Sequence, residues 1–359
     1  MPMVHLQQQH QHQHGSPLSS TTSASLLPAS GLTFSRSWLV HIAHETVKIA
    51  EEGCYTNGQG RKVCVAEALR YSMKNSVHYH SSHQFTQEEI RLHAGPPRFE
   101  DTEYHVVYGS SLQVATKLQE YLSSNDTDNT DTDTDDSSGT IGILNSASGK
   151  HPEKFLRGTL SQEEGICRAT LLYPCLMQYY NRPHHFYYVN HKEKYQDNSS
   201  SCAIFVPSVP MVRADSQRGD LLEHPLKFSV ISIPAPNAFA LGDDTAPCVP
   251  KAQSIGASKN NEPYQYWTVE RALEDRLHRA LSILALQGCT DIVLCAFGCG
   301  VHGNSPQQAA RSFRTLLHGE FAGRFRTVAF AMNSNRPHNF EQFAQVFQQQ
   351  PEEQEEPQS

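Results

Sequence analysis

The sequence predicts one large α/β domain with a mixed, mostly parallel sheet and helices on both faces. Strand-like and helix-like patterns alternate along residues 34–347, which is the order that builds such a sheet. Near the end of this region a buried strand, a glycine-rich loop and a helix start follow one another, as at the anion sites of α/β folds. Three segments have compositions that bury little apolar surface and are expected to be unstructured: residues 1–33, 123–138 and 348–359.

Composition and charge exclude several functional classes. The 359 residues carry a formal net charge of −8, and six acidic residues lie in one Asp/Thr run, so no basic surface for nucleic acid is indicated. No apolar run approaches the length of a membrane span, which predicts a soluble protein. The nine cysteines show no Cys-x-x-Cys spacing and no apolar leader precedes them. This pattern favours a reduced intracellular compartment, cytoplasmic or nuclear.

Two of the polar segments leave alternatives open. Residues 1–33 are rich in glutamine, histidine, serine and threonine, and His10, His12 and His14 could bind a metal ion weakly. A solvated tract is the more ordinary interpretation of this composition. The Asp/Thr run at 123–138 is interpreted as a solvated inserted loop, with a phosphorylation tract or an acidic contact surface as alternatives.

The folded region opens with a helix from Arg36, whose apolar residues recur at helical spacing until Gly53 supplies a C-terminal cap. Residues 54–58 predict a turn, and a second helix follows it. A strand is predicted at 102–108 and a helix at 112–122.

The central stretch carries paired carboxylates. Residues 140–144 form a short apolar run that predicts a buried strand ending at Asn145. Helical spacing of apolar residues from Ile166 onward places Glu163 and Glu164 at or near a first helical turn. Carboxylates in that position are commonly partners of the helix dipole. Beside a strand end they are also candidate acid/base groups. Further on, Pro174 predicts a kink or stop near Tyr173.

The C-terminal half repeats the alternation. Two β-rich runs at 202–207 and 228–233 predict strands joined by a connection on the rim of the sheet, and residues 184–200 indicate no clear element. The second strand closes with Pro234-Ala235-Pro236-Asn237, which is either a simple strand terminator or part of a site. A polar loop is predicted at 242–263, followed by a long helix capped by Thr268.

A glycine-rich loop at 298–304 follows a buried strand predicted at 291–297. Ser305 and Pro306 suit the cap and first position of the next helix, so bare N–H groups and the helix dipole favour an anion here. Cys295 and Cys299 are interpreted as packing residues rather than metal ligands. A last strand at 325–332 and an amphipathic helix near Phe343 complete the domain.

Several of these motifs resemble the microbial-type poly(ADP-ribose) glycohydrolases, a branch of the macrodomain-like ADP-ribose hydrolases. The similarity is carried by the Tyr-Thr-Asn-x-x-Gly-Arg turn at 55–61, by Asn145-Ser146-Ala147-Ser148, by Gln162-Glu163-Glu164 with Cys167-Arg168, by Pro234-Ala235-Pro236-Asn237, and by the loop at 298–304. The resemblance implies a macrodomain-like, three-layer α/β/α fold with a mixed central sheet and an N-terminal helical lead-in.

The resemblance also implies a reaction and roles for residues. The reaction is hydrolysis of ribose–ribose O-glycosidic bonds in poly(ADP-ribose), a glycosidase-type chemistry that requires no metal ion or cofactor. Glu164 would be the general acid/base, Glu163 would hold the adjacent ribose, and Asn145 and Gln162 would belong to the substrate site. The diphosphate would lie on the glycine-rich loop, at Gly298, Gly300, Val301, His302, Gly303 and Asn304. The implied partner is poly(ADP-ribose) or an ADP-ribosylated protein, with neither membrane nor nucleic acid involved and no indication of oligomeric state.

Two departures from the family pattern motivate other hypotheses. Glu153-Lys154 stands where the family has three glycines, and His302 stands where it usually has an aromatic residue. Glycine lets backbone amides approach a pyrophosphate closely. Lys154 offers a compensating cation, although loop lysines are commonly just solvated. The alternative function is therefore a catalytically degenerate ADP-ribose reader, and an interaction protein working through its Gln/His and Asp tracts is a third hypothesis.

Overall fold

The computed structural model describes residues 4–6, 35–125, 140–192, 200–216, 218–241 and 269–348. The predicted loop at 242–263 and the cap at Thr268 lie outside the described residues. The same holds for most of the N-terminal tract, for 126–138 of the Asp/Thr run and for the tail after Gln348. Their structure stays a prediction.

A mixed sheet of eight strands forms the middle layer, in the order β1-β5-β10-β9-β6-β8-β7-β4. Neighbours from β5 to β8 are parallel, whereas β1, β7 and β4 pair antiparallel at the two sides. A separate two-stranded sheet pairs β2 with β3. The strand bounds are β1 (Val4–Leu6), β2 (Cys54–Thr56), β3 (Lys62–Cys64), β4 (Val77–Tyr79), β5 (Glu103–Tyr108), β6 (Thr140–Ser146), β7 (Ala203–Arg213), β8 (Leu221–Ile233), β9 (Cys289–Cys295) and β10 (Thr327–Met332).

Helices cover both faces of this sheet. The bounds are α1 (Arg36–Glu52), α2 (Ala66–Lys74), α3 (Gln87–Ala94), α4 (Ser111–Asn125), α5 (Gln162–Ala169), α6 (Leu172–Met177), α7 (Phe186–Lys192), α8 (Ala238–Leu241), α9 (Val269–Leu286), α10 (Pro306–His318) and α11 (Pro337–Gln348), with a 3-10 helix at Pro152–Arg157. Successive strand residues enter opposite cores: Ile143 packs in the cluster with α1, α4 and α5, and Leu144 in the cluster with α9, α10 and α11. The expected layered α/β fold with a mixed, mostly parallel sheet is confirmed.

Local capping explains where several helices begin and end. Ser35 Oγ accepts from Trp38 N at 3.3 Å before α1, and Gly53 ends the helix in the left-handed region at φ 69°. Ser305 Oγ likewise accepts from Gln308 N at 3.3 Å before α10. No helix in the described part of the chain combines the length and apolar character that a membrane crossing requires.

Two predicted connections are wrong because they are strands. Residues 54–56 form β2 of a hairpin rather than a turn, and the chain turns only after them. The expected rim connection between 207 and 228 is instead a long antiparallel hairpin of β7 and β8. The prolines of β7 obscured this hairpin, since the pairing register shifts between Val206 and Val209 and Ser208 adopts φ 50°.

Two helix boundaries, one helix and one strand also differ from the sequence predictions. The break expected near Tyr173 comes earlier, because Thr170 is extended at φ −124° and bridges to Met211, while Pro174 is accommodated in the first turn of α6. α7 occupies part of the segment that indicated no element. α4 continues to Asn125, inside the segment 123–138 expected to be unstructured, and Ser123 Oγ donates to Gln119 O at 2.9 Å. β1 lies within residues 1–33, where its backbone extends the edge of the sheet beside β5.

Candidate active site

The carboxyl ends of β6, β8 and β9 lie side by side, since these strands are parallel neighbours. The loops that follow them are joined by hydrogen bonds. Ala147 N donates to Ile233 O at 3.0 Å, and Ala238 N donates to His302 O at 2.8 Å. The predicted strand end, the Pro-Ala-Pro-Asn segment and the glycine-rich loop are therefore brought to one edge of the sheet.

Gln162 connects the start of α5 to the end of β6. Its Oε1 accepts from Ser146 N at 2.8 Å, and its Nε2 donates to Leu144 O and Ser111 Oγ, each at 2.7 Å. Cys295 Sγ, at the end of β9, lies 3.7 Å from the same Oε1. The side-chain amide is thus used in holding the helix start against two strand ends.

Glu163 is buried and held on both oxygens. Oε1 accepts from Asn145 Nδ2 at 3.4 Å, and Oε2 accepts from Ser148 N at 2.9 Å. Burial raises the pKa of Glu163 to about 8, and the hydrogen bond from Ser148 opposes that rise. The neighbouring Glu164 raises this pKa further, whereas the charge of Lys154 lowers it.

Glu164 is only 5 % exposed, and its Oε2 is buried without a hydrogen-bond partner among the described residues. The same is true of Asn145 Oδ1 and Asn304 Oδ1. Buried polar atoms without partners are rare in folded proteins, because each forgoes the hydrogen bonds that water would offer. Other buried side-chain atoms of the described residues also lack a partner, but these three lie on residues that end or follow neighbouring strands or begin the adjacent helix, where a ligand could supply the missing hydrogen bonds.

The glycine-rich loop needs glycine at two positions. Gly298 has φ 73°, and a Cβ there would lie 2.0 Å from Asn304 Nδ2. Asn304 closes the loop, since its N and Nδ2 both donate to Gly298 O at 3.2 Å and its Nδ2 also donates to Pro236 O at 2.8 Å. Gly303 has φ 69° and lies against the ring of Phe239.

The open side of this loop is accessible. Val301 and Phe239 are 80 % and 77 % exposed, and a Cβ at Gly300 would meet no atom within 4 Å. His302 is half-buried, and burial lowers its pKa below the usual value, with the charges of Arg276 and Lys154 acting in the same direction. The predicted substrate residues of the loop therefore differ in burial, from the enclosed Asn304 to the exposed Val301.

Glu153 and Lys154 do not lie in a loop, as expected from the sequence, but in the 3-10 helix Pro152–Arg157. Pro152 and Phe155 bury this short helix, and Glu153 pairs with His151 at 3.3 Å and Arg157 at 3.7 Å. Lys154 is exposed. Its charge lowers the pKa values of both Glu163 and His302.

Sequence reasoning missed three residues that shape this site. Ser111 accepts from Gln162, Ser232 Oγ accepts from Asn145 Nδ2 at 3.0 Å, and Phe239 covers Gly303. Ser148 was named only as part of a motif, and its backbone N–H donates to Glu163. Neither a serine at a helix start nor one in a strand carries a signal that separates these roles from solvation. Nowhere in the described ranges do three or more His, Cys, Asp or Glu side chains come together so that they could hold a metal ion.

Comparison with known proteins decides the family. The family model "Microbial-type PARG, catalytic domain", where PARG is poly(ADP-ribose) glycohydrolase, matches residues 43–214. The structure of poly(ADP-ribose) glycohydrolase from Thermomonospora curvata, bound to the inhibitor ADP-HPD, is 30 % identical to this chain. The match covers 86 % of this chain and 98 % of that one, with a TM-score of 0.64. The chain belongs to the microbial-type poly(ADP-ribose) glycohydrolase family.

Other members of this glycohydrolase family agree in fold. Another Thermomonospora curvata structure is 29 % identical, with 86 % of this chain and 98 % of that chain covered and a TM-score of 0.68. The enzyme from Deinococcus radiodurans in complex with ADP-ribose is 29 % identical, with coverage of 77 % and 96 % and a TM-score of 0.59. Among curated proteins no match is found. The macrodomain-like fold expected from the sequence is confirmed, and the chain carries a glycohydrolase-like catalytic domain.

Proposed function

We propose that this protein hydrolyses the ribose–ribose O-glycosidic bonds of poly(ADP-ribose), with Glu164 as the general acid/base. The observation that carries this assignment is the contrast within the carboxylate pair. Both oxygens of Glu163 accept hydrogen bonds from the protein, whereas Glu164 Oε2 is buried without a partner among the residues described. Glu164 is therefore the carboxyl group available to a reacting bond.

Each residue then has a chemical task. Glycoside hydrolysis needs a proton for the leaving oxygen and a base for the attacking water. Glu164 gives its proton to the leaving ribose oxygen and regains one from water. Because burial raises the pKa of Glu163 to about 8, this carboxyl group is largely protonated at neutral pH and can donate a hydrogen bond to a ribose hydroxyl. Asn145 Oδ1, which lacks a partner in the described structure, accepts from the distal ribose.

We assign the diphosphate to the loop at 298–304 and to the N-terminus of α10. Backbone N–H groups and the helix dipole favour an anion there. The relatives bound to ADP-HPD and ADP-ribose support a ligand of this class. Lys154 supplies a cation on the side where the family has glycine. The partner is accordingly poly(ADP-ribose) or an ADP-ribosylated protein, met in the cytoplasm or nucleus.

The second candidate function is an ADP-ribose reader without turnover. One observation favours it: residues 153–154 are built into a packed 3-10 helix rather than a glycine loop. Backbone amides held there approach a phosphate less closely than glycine amides do. A misplacement of about 1 Å at a reacting bond costs on the order of 10²-fold in rate.

One experiment separates the two functions. Free ADP-ribose released from defined polymer is measured for the wild type and for a variant with Gly-Gly-Gly replacing Glu153-Lys154, and titration calorimetry measures ADP-ribose binding to both. If the protein is a hydrolase, the wild type releases free ADP-ribose from the polymer. If it is a reader, the wild type binds ADP-ribose but releases none, whereas the glycine variant releases it. The absence of ADP-ribose binding in the millimolar range or tighter would contradict both.

A further inference from the structure

The hairpin of β2 and β3 places two cysteines directly opposite each other. Its register pairs Cys54 with Cys64. Asn57 N donates to Arg61 O at 2.9 Å, and Val65 N donates to Gly53 O at 2.8 Å. Hydrogen-bonded and non-hydrogen-bonded pairs alternate along an antiparallel ladder. The two bonds make Asn57–Arg61 and Gly53–Val65 hydrogen-bonded pairs of the ladder. Cys54 and Cys64 are adjacent to the second of these pairs, so they form a non-hydrogen-bonded pair.

This ladder position suits a cross-link. The Cα atoms of a non-hydrogen-bonded pair lie about 4.5 Å apart and their side chains leave the same face of the sheet. Disulfides span Cα separations of about 4.4–6.8 Å. The two thiols thus need no rearrangement of the backbone in order to join.

The face that carries both thiols is accessible. Cys64 is exposed and Cys54 is half-buried. On the other face of the hairpin Tyr55 is buried, and its hydroxyl donates to Leu222 O at 2.9 Å. That contact fixes which side of the hairpin faces the domain, so a small oxidant reaches the cysteine pair without any opening of the fold.

Other cysteines of the described chain are poorly suited to such chemistry. Cys167, Cys175, Cys202, Cys289 and Cys299 are buried, and Cys295 is half-buried. Burial raises the pKa of the Cys175, Cys289, Cys295 and Cys299 thiols to about 12. Because the thiolate is the reactive form, oxidation is directed to the hairpin.

We propose that Cys54 and Cys64 are a redox modification site that closes reversibly to a cross-strand disulfide by exchange with a small-molecule disulfide. One thiolate attacks a sulfur of the small disulfide and forms a mixed disulfide, with release of one small thiol. The second thiolate attacks the protein sulfur of that mixed disulfide and releases a second small thiol. Two protein thiols are oxidised, one small disulfide is reduced, and the two protons end on the released thiols.

The cross-link lies where α1, the β2–β3 hairpin and α2 meet. Gly53 ends α1, and its carbonyl accepts from Ala66 N at 3.0 Å, the first residue of α2. α1 in turn contacts the helix of the glutamate pair, since Thr46 Oγ1 donates to Arg168 O at 2.7 Å. The disulfide therefore ties the end of α1 to the start of α2 and raises the melting temperature of the domain.

The test equilibrates the full chain with oxidised and reduced glutathione at several ratios, blocks free thiols with a maleimide, and digests with trypsin without reduction. Trypsin cuts at the exposed Arg61 and Lys62, so a Cys54–Cys64 link leaves two peptides joined until dithiothreitol separates them. We expect this joined species as the main product under excess oxidised glutathione. Cys54→Ser and Cys64→Ser are the matched controls and should carry one glutathione instead.

Thermal unfolding gives an independent readout. Oxidation should raise the melting temperature of the wild type by a few degrees and leave that of Cys64→Ser unchanged. Maleimide on both Cys54 and Cys64 after oxidation, a persistent mixed disulfide, or a link from either residue to another cysteine overturns the proposal. An unchanged or lowered melting temperature in the linked protein overturns its stabilising role.

Discussion

Glu163 and Glu164 are adjacent in sequence yet differ in surroundings. Glu163 accepts from Asn145 and Ser148, whereas Oε2 of Glu164 has no partner among the described residues. The sequence predicted that both lie at the start of a helix near a strand end. It could not assign partners, because Ser148 acts through its backbone and Asn145 reaches Glu163 only once β6 and α5 are packed.

The buried Glu163 makes stability depend on pH. Its pKa rises from 4.5 to about 8 on folding, so the folded protein binds this proton more tightly than the unfolded chain. The resulting stabilisation is complete below pH 4.5 and is lost as the pH rises through 8. Glu163→Gln, which mimics the protonated form, should gain stability relative to the wild type across that window.

Chemical denaturation from pH 4.5 to 8.5 measures this difference at about half-unit steps. Groups that do not interact with Glu163 titrate alike in both proteins and cancel in the comparison. If the difference in unfolding free energy between the two proteins does not change with pH, burial does not raise the pKa of Glu163 as described.

At the scale of elements, the loop at 298–304 is set by two glycines and one asparagine. The sequence predicted the loop and the Ser305 cap, since glycines and helix caps are local signals. It did not predict the closure by Asn304 or the cover by Phe239, which depend on the distant Pro236 segment. The β7–β8 hairpin was missed for a related reason, because a proline-containing bulge hides the strand periodicity.

Gly298→Ala should disrupt this loop. Its Cβ would meet Asn304 Nδ2 at 2.0 Å and Ala235 Cβ at 2.9 Å, at a φ of 73°. Strain of this kind costs on the order of 1–3 kcal/mol. We expect a lower unfolding free energy and at least ~10-fold weaker ADP-ribose binding by calorimetry.

Gly300→Ala is the matched control, because a Cβ there has no neighbour within 4 Å. It should retain the stability of the wild type. Equal stability and equal binding of the two alanine variants would refute the role given to the loop geometry.

Lys154 lies on the 3-10 helix, and its charge lowers the pKa values of both Glu163 and His302. Lys154→Met keeps much of the side-chain length and removes the charge. It should weaken ADP-ribose binding and reduce the dependence of that binding on salt, because screening acts on the charge interaction.

Arg157→Met removes a cation of the same short helix that pairs with Glu153 at 3.7 Å, and serves as the control. The assignment of Lys154 fails if both variants bind ADP-ribose as tightly as the wild type at low salt.

For the whole molecule, the alternation of strand and helix patterns was sufficient to predict a layered α/β domain. It was not sufficient to predict strand order, because β6 pairs with β8 and β9, which are far away in sequence. The expected limits of the domain rested on polar composition alone. They were wrong at two places, because β1 and the end of α4 lie in segments that were expected to be unstructured.

Limited proteolysis tests the predicted domain boundaries. Cleavage by a low-specificity protease should occur first within 7–33, 126–138 and 349–359 and leave a core that still contains α1 and α11. Protection of all three segments would contradict the prediction.

The most direct test of the account compares Glu164→Gln with Glu163→Gln. ADP-ribose release from defined polymer and ADP-ribose affinity are measured for both variants and the wild type. Glu164→Gln should lose on the order of 10²–10⁴-fold in kcat, the usual contribution of general acid/base catalysis, while its Kd for ADP-ribose stays near that of the wild type. Glu163→Gln should keep more activity, since this side chain is proposed to hold the ribose and not to transfer the proton, and its amide can still donate a hydrogen bond. Equal release of ADP-ribose by the wild type and Glu164→Gln would contradict the assignment of Glu164 as the catalytic acid/base.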